Sequence, residues 1–248
     1  IDADKVLLRL PLQMRYPKDS GGMNFVAPRL PAPFHLLAAL WRADGLAKED
    51  KLALARVSTT ARWMDWLLYT DCSVTELLDR FNQTERLTKL MWRPLCIAAL
   101  NTPPERASAQ IFLNVLRDSL GARRAASDML IPRVDLSALF PQRATAFIER
   151  HGGVVRQGTT VKKITQNGAC WRLALNGDQD GLQSGDDFDA VVVATQATHA
   201  ANLLDDLMDT ANLAAFDYEP ITTCYLQYGP GTRLTHAFFA LLDDSAAG

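Results

Sequence analysis

Apolar residues recur three and four positions apart through most of the first half of the chain, the spacing of helices that bury one face. The clearest case is Leu37, Leu40 and Trp41, followed at Gly45 by a residue type that commonly ends a helix. The pattern predicts helices over 34–44, 48–69, 74–82, 84–92 and 106–120. The first half of the chain is therefore predicted to be mainly helical.

Two pairs of residues define these helices further. Ser73 and Glu76 have the spacing of a capping box, in which each side chain accepts a hydrogen bond from the other's backbone N–H, so Ser73 marks the start of the third helix. Trp63 and Trp66 fall near the helical spacing of the second helix, and we interpret both as core residues. The alternative is that they line an apolar pocket or tunnel, because ligand sites are mostly apolar concavities.

Patterns typical of short strands also occur, and they dominate the second half. Val6–Leu10 and Met23–Val26 flank a cluster of turn formers and predict a hairpin. The Asn167-Gly168 pair predicts a second hairpin, with strands at 160–164 and 170–175.

The remaining elements complete an α+β pattern. Residues 188–194 end in an unbroken apolar run, typical of a strand that is buried on both faces of a parallel sheet. Further strands are predicted at 154–156, 221–228 and 236–242, further helices at 142–151 and 197–204, and an exposed loop at 176–187.

Composition excludes several classes of protein. The 248 residues include 26 Lys and Arg against 28 Asp and Glu, so the formal net charge is −2 and the basic face that nucleic-acid binding needs is not expected. The four cysteines include no C-x-x-C pair, so we expect no zinc site and a reduced, cytosolic setting. No apolar run approaches the ~20 residues of a membrane span. The charged start without Met and the abrupt end lead us to expect a piece of a longer protein.

Local motifs identify no catalytic residue. The four histidines lie in different elements without metal-ligand spacing, and we interpret them as surface or satisfied structural residues. No Ser or Cys stands in a nucleophile motif, and acidic doublets such as Asp205-Asp206 fit a solvated surface. The chain contains no G-x-G-x-x-G fingerprint. The catalytic residues thus stay unknown, and no metal site is predicted.

One long motif, WRPLCIAALNTP at residues 92–103, carries a family resemblance. Further matching segments lie at 30–37, 107–109, 116–120, 127–128, 132–136 and 219–226. Together they closely resemble the squalene-associated FAD-dependent desaturases, the hydroxysqualene dehydroxylase family, which belongs with phytoene desaturases and flavin amine oxidases. The resemblance covers nearly the whole chain.

The resemblance implies a fold and a division into domains. The implied fold is α+β: a helical substrate-binding domain with a mixed sheet, plus a partial FAD-binding α/β segment of an amine-oxidase-like flavoprotein. Residues 1–130 would begin the substrate-binding domain, 131–205 would be the middle of the FAD-binding domain, and 206–248 would return to the substrate-binding domain as strands.

The resemblance also implies cofactor-binding residues. Val161 occupies the valine position of the G-x-x-V-x-x-I strand, whose backbone N–H and C=O hold the adenine edge of FAD in related flavoproteins. Ala194 and Thr195 follow the apolar run and would lie near the adenosine side of the cofactor. Many relatives have a proline next, where this chain has Gln196.

For the substrate, the resemblance points to the 92–103 motif. Trp92, Leu95, Leu100 and Asn101 are expected to line or support an apolar pocket. None of them is assigned as the acid that would protonate a departing hydroxyl.

The function implied for the parent protein is flavin-dependent conversion of hydroxysqualene to squalene in hopanoid biosynthesis. A carotenoid or phytoene desaturase and a flavin amine oxidase are the alternatives within the fold. A lipid-binding module without turnover is the alternative of another class. FAD belongs to the parent protein, and we expect residues 1–248 alone to be inactive, with FAD absent or weakly bound, because no pyrophosphate-binding glycine loop is present.

The expected partner is an apolar isoprenoid substrate, which would reside in the bilayer. Leu36, Leu37, Leu40 and Trp41 lie in an uncharged stretch and are expected to make peripheral membrane contact at the inner face, with the protein otherwise cytoplasmic. The alternative is that these leucines pack on the following helix.

Overall fold

The computed structural model describes residues 2–19, 21–176 and 187–242. The helices are α1 (Ala3–Val6), α2 (Phe34–Arg42), α3 (Lys48–Trp63), α4 (Val74–Arg80), α5 (Glu85–Leu87), α6 (Arg93–Leu100), α7 (Ala109–Ser119), α8 (Leu136–Leu139), α9 (Pro141–Arg150), α10 (Ala197–Leu204) and α11 (Ala211–Ala214), with a π-helical turn at Thr88–Trp92 and a 3₁₀ turn at Arg124–Ser127. The strands are β1 (Leu7–Leu10), β2 (Gln13–Arg15), β3 (Asn24–Val26), β4 (Met129–Pro132), β5 (Val161–Asn167) and β6 (Cys170–Leu175).

The chain forms two compact units. The first runs to Leu139 and resumes at Ile221, and the second spans Phe140–Pro220. The boundaries between the two units therefore fall after Leu139 and Pro220. The domain boundaries implied by the resemblance fall after residues 130 and 205. The mixture of helices with small sheets makes the fold α+β in the coarse sense.

Strand pairing in the first unit differs from the predicted hairpin. β1 pairs antiparallel with β4, with Leu7 opposite Pro132 and Leu10 opposite Met129. β3 pairs with β2, so the prediction that Val6–Leu10 and Met23–Val26 form one hairpin is wrong. The predicted mixed sheet is also not formed, because the described strands make three separate antiparallel pairs. The turn formers do connect two paired strands, but the first of them is β2, which the sequence pattern did not predict.

The long helix buries a different face from the one predicted. α3 ends at Trp63, and the chain then turns through left-handed conformations at Asp65 and Trp66 (φ 52° and 59°). The buried face of α3 includes Ala53, Val57 and Ala61, and Trp63 lies off this face and is 88% exposed. The interpretation of Trp63 as a core residue is therefore wrong. Trp66, carried inward by the turn, is buried in the core and also lines an apolar cavity, so both interpretations hold for it.

Local helix signals in the first unit are confirmed. α2 covers most of the predicted 34–44 segment, and α7 lies within the predicted 106–120. The Ser73 hydroxyl accepts a 3.1 Å hydrogen bond from the Glu76 N–H, and the Glu76 carboxylate accepts one of 3.0 Å from the Ser73 N–H. This capping box begins α4 as predicted.

The helix predicted over 84–92 extends further than its pattern suggested. It begins as α5, widens into the π-helical turn and continues as α6 to Leu100. Asn101 ends it in the left-handed conformation (φ 49°), which asparagine tolerates better than most residues. The family motif at 92–103 thus consists of the end of the π-helical turn, all of α6 and its C-terminal cap.

The second unit contains the predicted hairpin. β5 and β6 pair with Asn167 opposite Cys170, so Gly168 and Ala169 form a two-residue loop. Gly168 has φ +64°, whereas Ala169 is not in the left-handed region, which is the signature of a type II′ turn. The predicted helices at 142–151 and 197–204 are confirmed as α9 and α10.

Several predicted strands are not strands. Residues 154–156, 190–194, 221–228 and 236–242 have no strand pairing in the described structure. Phe188 exchanges two backbone hydrogen bonds with Trp171, but Val192 is 90% exposed, so the prediction of a strand buried on both faces is wrong. An apolar run needs parallel neighbours to bury it, and the described residues of this unit supply none. Most of the predicted loop at 176–187 lies outside the described residues.

Candidate functional site

The first unit contains a partly open apolar cavity of about 290 Å³. Helices α2, α3 and α7 contribute most of its wall, and the π-helical turn contributes Met91 and Trp92. The principal apolar side chains around it are Leu36, Leu40, Leu54, Trp92, Leu116 and Leu120. Its apolar interior suits a hydrocarbon ligand, because a polar group buried there would lack hydrogen-bond partners.

Trp92 is the best-fixed member of this wall. Its ring packs edge-on against Phe112, with centroids 6.2 Å apart and an interplanar angle of 85°. Its Nε1–H donates a 2.9 Å hydrogen bond to the side-chain oxygen of Gln83. The one polar atom of the indole is therefore satisfied by protein, and the ring acts as apolar surface.

Among the described residues, the polar side chains that line the cavity all come from α3. They are Ser58, Thr59 and Arg62, and all three are exposed. The Thr59 hydroxyl donates to the backbone oxygens of Ala55 and Arg56 within α3, at 3.1 and 3.0 Å. The cavity therefore has an apolar interior with one polar, solvent-facing edge.

Of the four residues predicted to contact substrate, the structure brings only Trp92 to the cavity. Leu95 and Leu100 are half-buried and pack against the core. Asn101 is exposed, and its backbone N–H donates a 2.8 Å hydrogen bond to the Ile97 oxygen at the end of α6. These three residues of the motif therefore do not line this cavity.

Sequence reasoning missed most of the wall, although one signal was available. Phe112, Leu116 and Leu120 stand four residues apart along α7, which is the apolar face of a helix. Leu116 and Leu120 line the cavity, and Phe112 supports Trp92. Periodicity identifies such a face as buried but does not distinguish a cavity wall from solid core.

His35 is the most buried of the four histidines, which the sequence analysis interpreted as surface or satisfied structural residues. It is 1% exposed, and its Nε2 lies 3.4 Å from the hydroxyl oxygen of Ser127. Its Nδ1 makes no hydrogen bond of ordinary geometry with the described residues, although the backbone of Pro31 lies close enough to raise the pKa of the ring. Burial, with the nearby Arg124 charge, outweighs this contact and lowers the pKa of His35, which favours the neutral ring.

The four residues predicted to touch a membrane fall into two groups. Leu36 and Leu40 are half-buried and line the cavity. Leu37 lines it too but is 55% exposed, and Trp41 is 85% exposed. Among the described residues, no helix combines the length and the apolar character needed to cross a bilayer.

The second unit contains the three residues predicted to bind cofactor. Val161 is half-buried at the start of β5 and lines a cavity of about 440 Å³. Ala194 and Thr195 are exposed just before α10. α10 packs on β5, and the Lys163 ammonium on β5 lies 2.7 Å from the Asp206 carboxylate, just beyond the end of α10.

The wall around Val161 is compatible with an adenosine group. It is formed mainly by apolar side chains, with Thr159 and Arg156 as its polar members and no acidic residue among the described lining. Such a wall accepts an aromatic base and does not repel phosphate. No group of three His, Cys, Asp or Glu side chains placed to hold a metal occurs in the described part of the chain.

The model of the flavin-containing amine oxidoreductase family matches residues 7–240. The chain belongs to this family, which confirms the resemblance found in the sequence. A solved structure from Exiguobacterium sp. 255-15, provisionally named protoporphyrinogen oxidase, covers 86% of this chain with a TM-score of 0.50 and 16% identity. This chain covers 48% of that structure, and the likeness shows a shared fold.

Two more specific relatives are hydroxysqualene dehydroxylases. That of Sinorhizobium fredii (strain NBRC 101917 / NGR234) is 34% identical over 121 residues, which are 49% of this chain and 28% of the relative. That of Rhodopseudomonas palustris (strain ATCC BAA-98 / CGA009) is 32% identical over 152 residues, 61% of this chain and 35% of the relative. The chain therefore matches about a third of the length of these relatives.

Proposed function

We propose that the whole protein is an FAD-dependent oxidoreductase that acts on a long isoprenoid, hydroxysqualene, and replaces its allylic hydroxyl by hydrogen to give squalene in hopanoid biosynthesis. The relatives named hydroxysqualene dehydroxylase support this substrate. The observation that carries the proposal is the apolar cavity of the first unit, with Trp92 in its wall. In this proposal the first unit belongs to the helical substrate-binding domain.

The cavity residues contribute binding and the exclusion of water. An allylic carbon that loses hydroxyl becomes electron-poor, and water would then compete for it. Leu54, Leu116 and Trp92 surround the ligand with carbon, and an aromatic ring also attracts developing positive charge. At about 290 Å³ the cavity is just below the roughly 300–1,000 Å³ range of ligand sites, so it accepts one segment of the isoprenoid.

Val161, Ala194 and Thr195 are proposed to hold the adenosine side of FAD. The apolar wall around Val161 and the exposure of Ala194 and Thr195 fit this role. When bound, the flavin supplies the two reducing equivalents that the dehydroxylation needs.

The test is turnover of hydroxysqualene by the full-length, flavin-loaded enzyme carrying Leu120→Asp. Leu120 is a half-buried lining residue, and a carboxylate there costs several kcal/mol or must be protonated. We expect turnover to fall at least tenfold while the flavin absorbance per protein is unchanged. Ile111→Asp, at an exposed position of α7, is the matched control and should retain turnover. Equal turnover by both variants would contradict the proposed site.

Peripheral membrane contact is proposed for the exposed part of α2. Phe34, Leu37 and Trp41 are exposed along one side of the helix, and Arg42 beside them provides charge for anionic headgroups. In the full-length protein, Leu37→Glu with Trp41→Glu should weaken sedimentation with anionic vesicles. Leu136→Glu, at another exposed position of the same unit, should not. Identical sedimentation of the two variants would locate the contact elsewhere.

A further inference from the structure

The polar edge of the first cavity carries an arginine that no acidic group neutralises. Arg62 lines the cavity and is exposed. It forms no ion pair or hydrogen bond through its side chain with any residue in the described part of the chain. Asp65, three residues later, has no salt bridge to it, and no Asp or Glu is among the described lining residues. The positive charge of Arg62 therefore lies at the edge of the apolar cavity without a neighbouring negative charge.

Ser58 adds a hydroxyl to the same edge. It precedes Arg62 by one helical turn on α3, so the two side chains project from the same side of the helix. The Ser58 hydroxyl has no hydrogen-bond partner among residues 2–19, 21–176 and 187–242. The Thr59 hydroxyl, by contrast, donates to backbone oxygens within α3. The donors available at this edge are therefore the guanidinium of Arg62 and the hydroxyl of Ser58.

We propose that this cavity binds amphiphiles with an anionic head, a carboxylate or a phosphate monoester, whose tail fills the apolar chamber while the head meets Arg62 and Ser58. The inference rests on the proposed function in taking this cavity as the isoprenoid site, and it extends the ligand class from neutral chains to anionic ones. The guanidinium of Arg62 and the hydroxyl of Ser58 can both donate hydrogen bonds to the oxygens of a carboxylate or of a phosphate monoester. Anionic amphiphiles would then compete with a neutral isoprenoid.

The experiment is calorimetric titration of the full chain with three monomeric ten-carbon ligands at neutral pH: decanoate, decan-1-ol and decylammonium. We expect decanoate to bind about fivefold more tightly than decan-1-ol, the scale of an exposed ion pair, and decylammonium to bind least. Raising the salt concentration should remove the preference for decanoate but leave the binding of decan-1-ol.

Variants separate the head-group contact from the cavity itself. Arg62→Gln should reduce decanoate binding to the level of decan-1-ol, and Ser58→Ala should weaken it less. Arg56→Gln, an exposed arginine of α3 that does not line the cavity, should leave the preference unchanged. Ala55→Phe, which fills the cavity from α3, should abolish the binding of both ligands. Circular dichroism would check that each variant is folded.

The outcomes are distinct. Equal affinity for decanoate and decan-1-ol, or an equal loss in Arg62→Gln and Arg56→Gln, would overturn the anionic-head inference and leave the proposed isoprenoid site standing. Failure of all three ligands to bind the unaltered chain would overturn the cavity as a ligand site, and with it both proposals.

Discussion

The indole Nε1–H of Trp92 donates to the side-chain oxygen of Gln83 at 2.9 Å, and this contact ties the cavity wall to two neighbouring helices. The Gln83 amide nitrogen donates to the backbone oxygens of Ala53 in α3 and Phe81 at the end of α4, at 2.9 and 3.1 Å. Because an indole only donates, the orientation of the amide is fixed. One side chain therefore satisfies three polar groups around the cavity.

Replacing Gln83 with Leu should lower the free energy of unfolding by about 1–3 kcal/mol, because a buried indole N–H is left without an acceptor. Urea denaturation measures the change. Gln227→Leu, at an exposed position of the same unit, should change it by less than about 0.5 kcal/mol. A similar loss in both variants would show that the hydrogen bonds of Gln83 do not stabilise the wall.

The buried ring of His35 predicts a pH-dependent stability. Its pKa is lowered in the folded state by burial and by Arg124, although a hydrogen bond with the Pro31 backbone and the Asp128 carboxylate, which is paired with Arg9 and Arg124, oppose the shift. The unfolded chain therefore takes up this proton at a higher pH than the folded one. The stabilisation is complete above the ordinary pKa of about 6.5 and declines as the pH falls below it.

Thermal unfolding of the protein and of His35→Leu between pH 8 and pH 5 measures this effect. We expect the unaltered protein to lose stability relative to the variant as the pH falls, since leucine has no proton to bind. His199→Leu, at an exposed position of α10, is the control for the substitution itself. If the difference between the protein and His35→Leu stays constant over the whole range, His35 is not the linked group.

Signals contained within a few residues predicted the fold well. The Ser73 capping box and the β5–β6 hairpin each depend on hydrogen bonds or backbone angles of adjacent residues, and both are present, although the two loop residues are Gly168 and Ala169 and not the Asn167-Gly168 pair. The family motif includes Trp92, which lines the first cavity, but also Leu95, Leu100 and Asn101, which do not. These features need no information about distant parts of the chain.

Features that depend on distant residues were not predictable in the same way. β1 pairs with β4, whose residues lie more than a hundred positions away, so the nearer Met23–Val26 segment appeared to be its partner. Trp63 and Trp66 differ in burial because the helix ends between them, and apolar spacing does not show where a helix ends. The cavity combines side chains from Leu12 to Leu120, and no local pattern distinguishes such a wall from solid core.

The cysteines should differ widely in their reaction with iodoacetamide. Cys96 is fully buried, and burial raises its pKa to about 11, so the reactive thiolate is scarce and inaccessible. Cys224 is an exposed free thiol. Mass spectrometry after native labelling at pH 8 should find Cys224 modified and Cys96 unmodified, and labelling in urea should modify both. Native modification of Cys96 at the rate of Cys224 would mean that α6 opens readily.

The β5–β6 turn provides a test of backbone conformation alone. Gly168 has φ +64°, and an added Cβ would meet nothing within 4 Å, so Gly168→Ala changes only the backbone preference. The first loop position of a type II′ turn is strained for an L-residue, at a cost of roughly 1–3 kcal/mol. Amide hydrogen exchange of Val161–Asn167 and Cys170–Leu175 should therefore accelerate in Gly168→Ala. Gly229→Ala, where there is open space and φ is not in the left-handed region, should leave that exchange unchanged. Unchanged exchange in Gly168→Ala would mean that the strand pairing, and not the turn, fixes this hairpin.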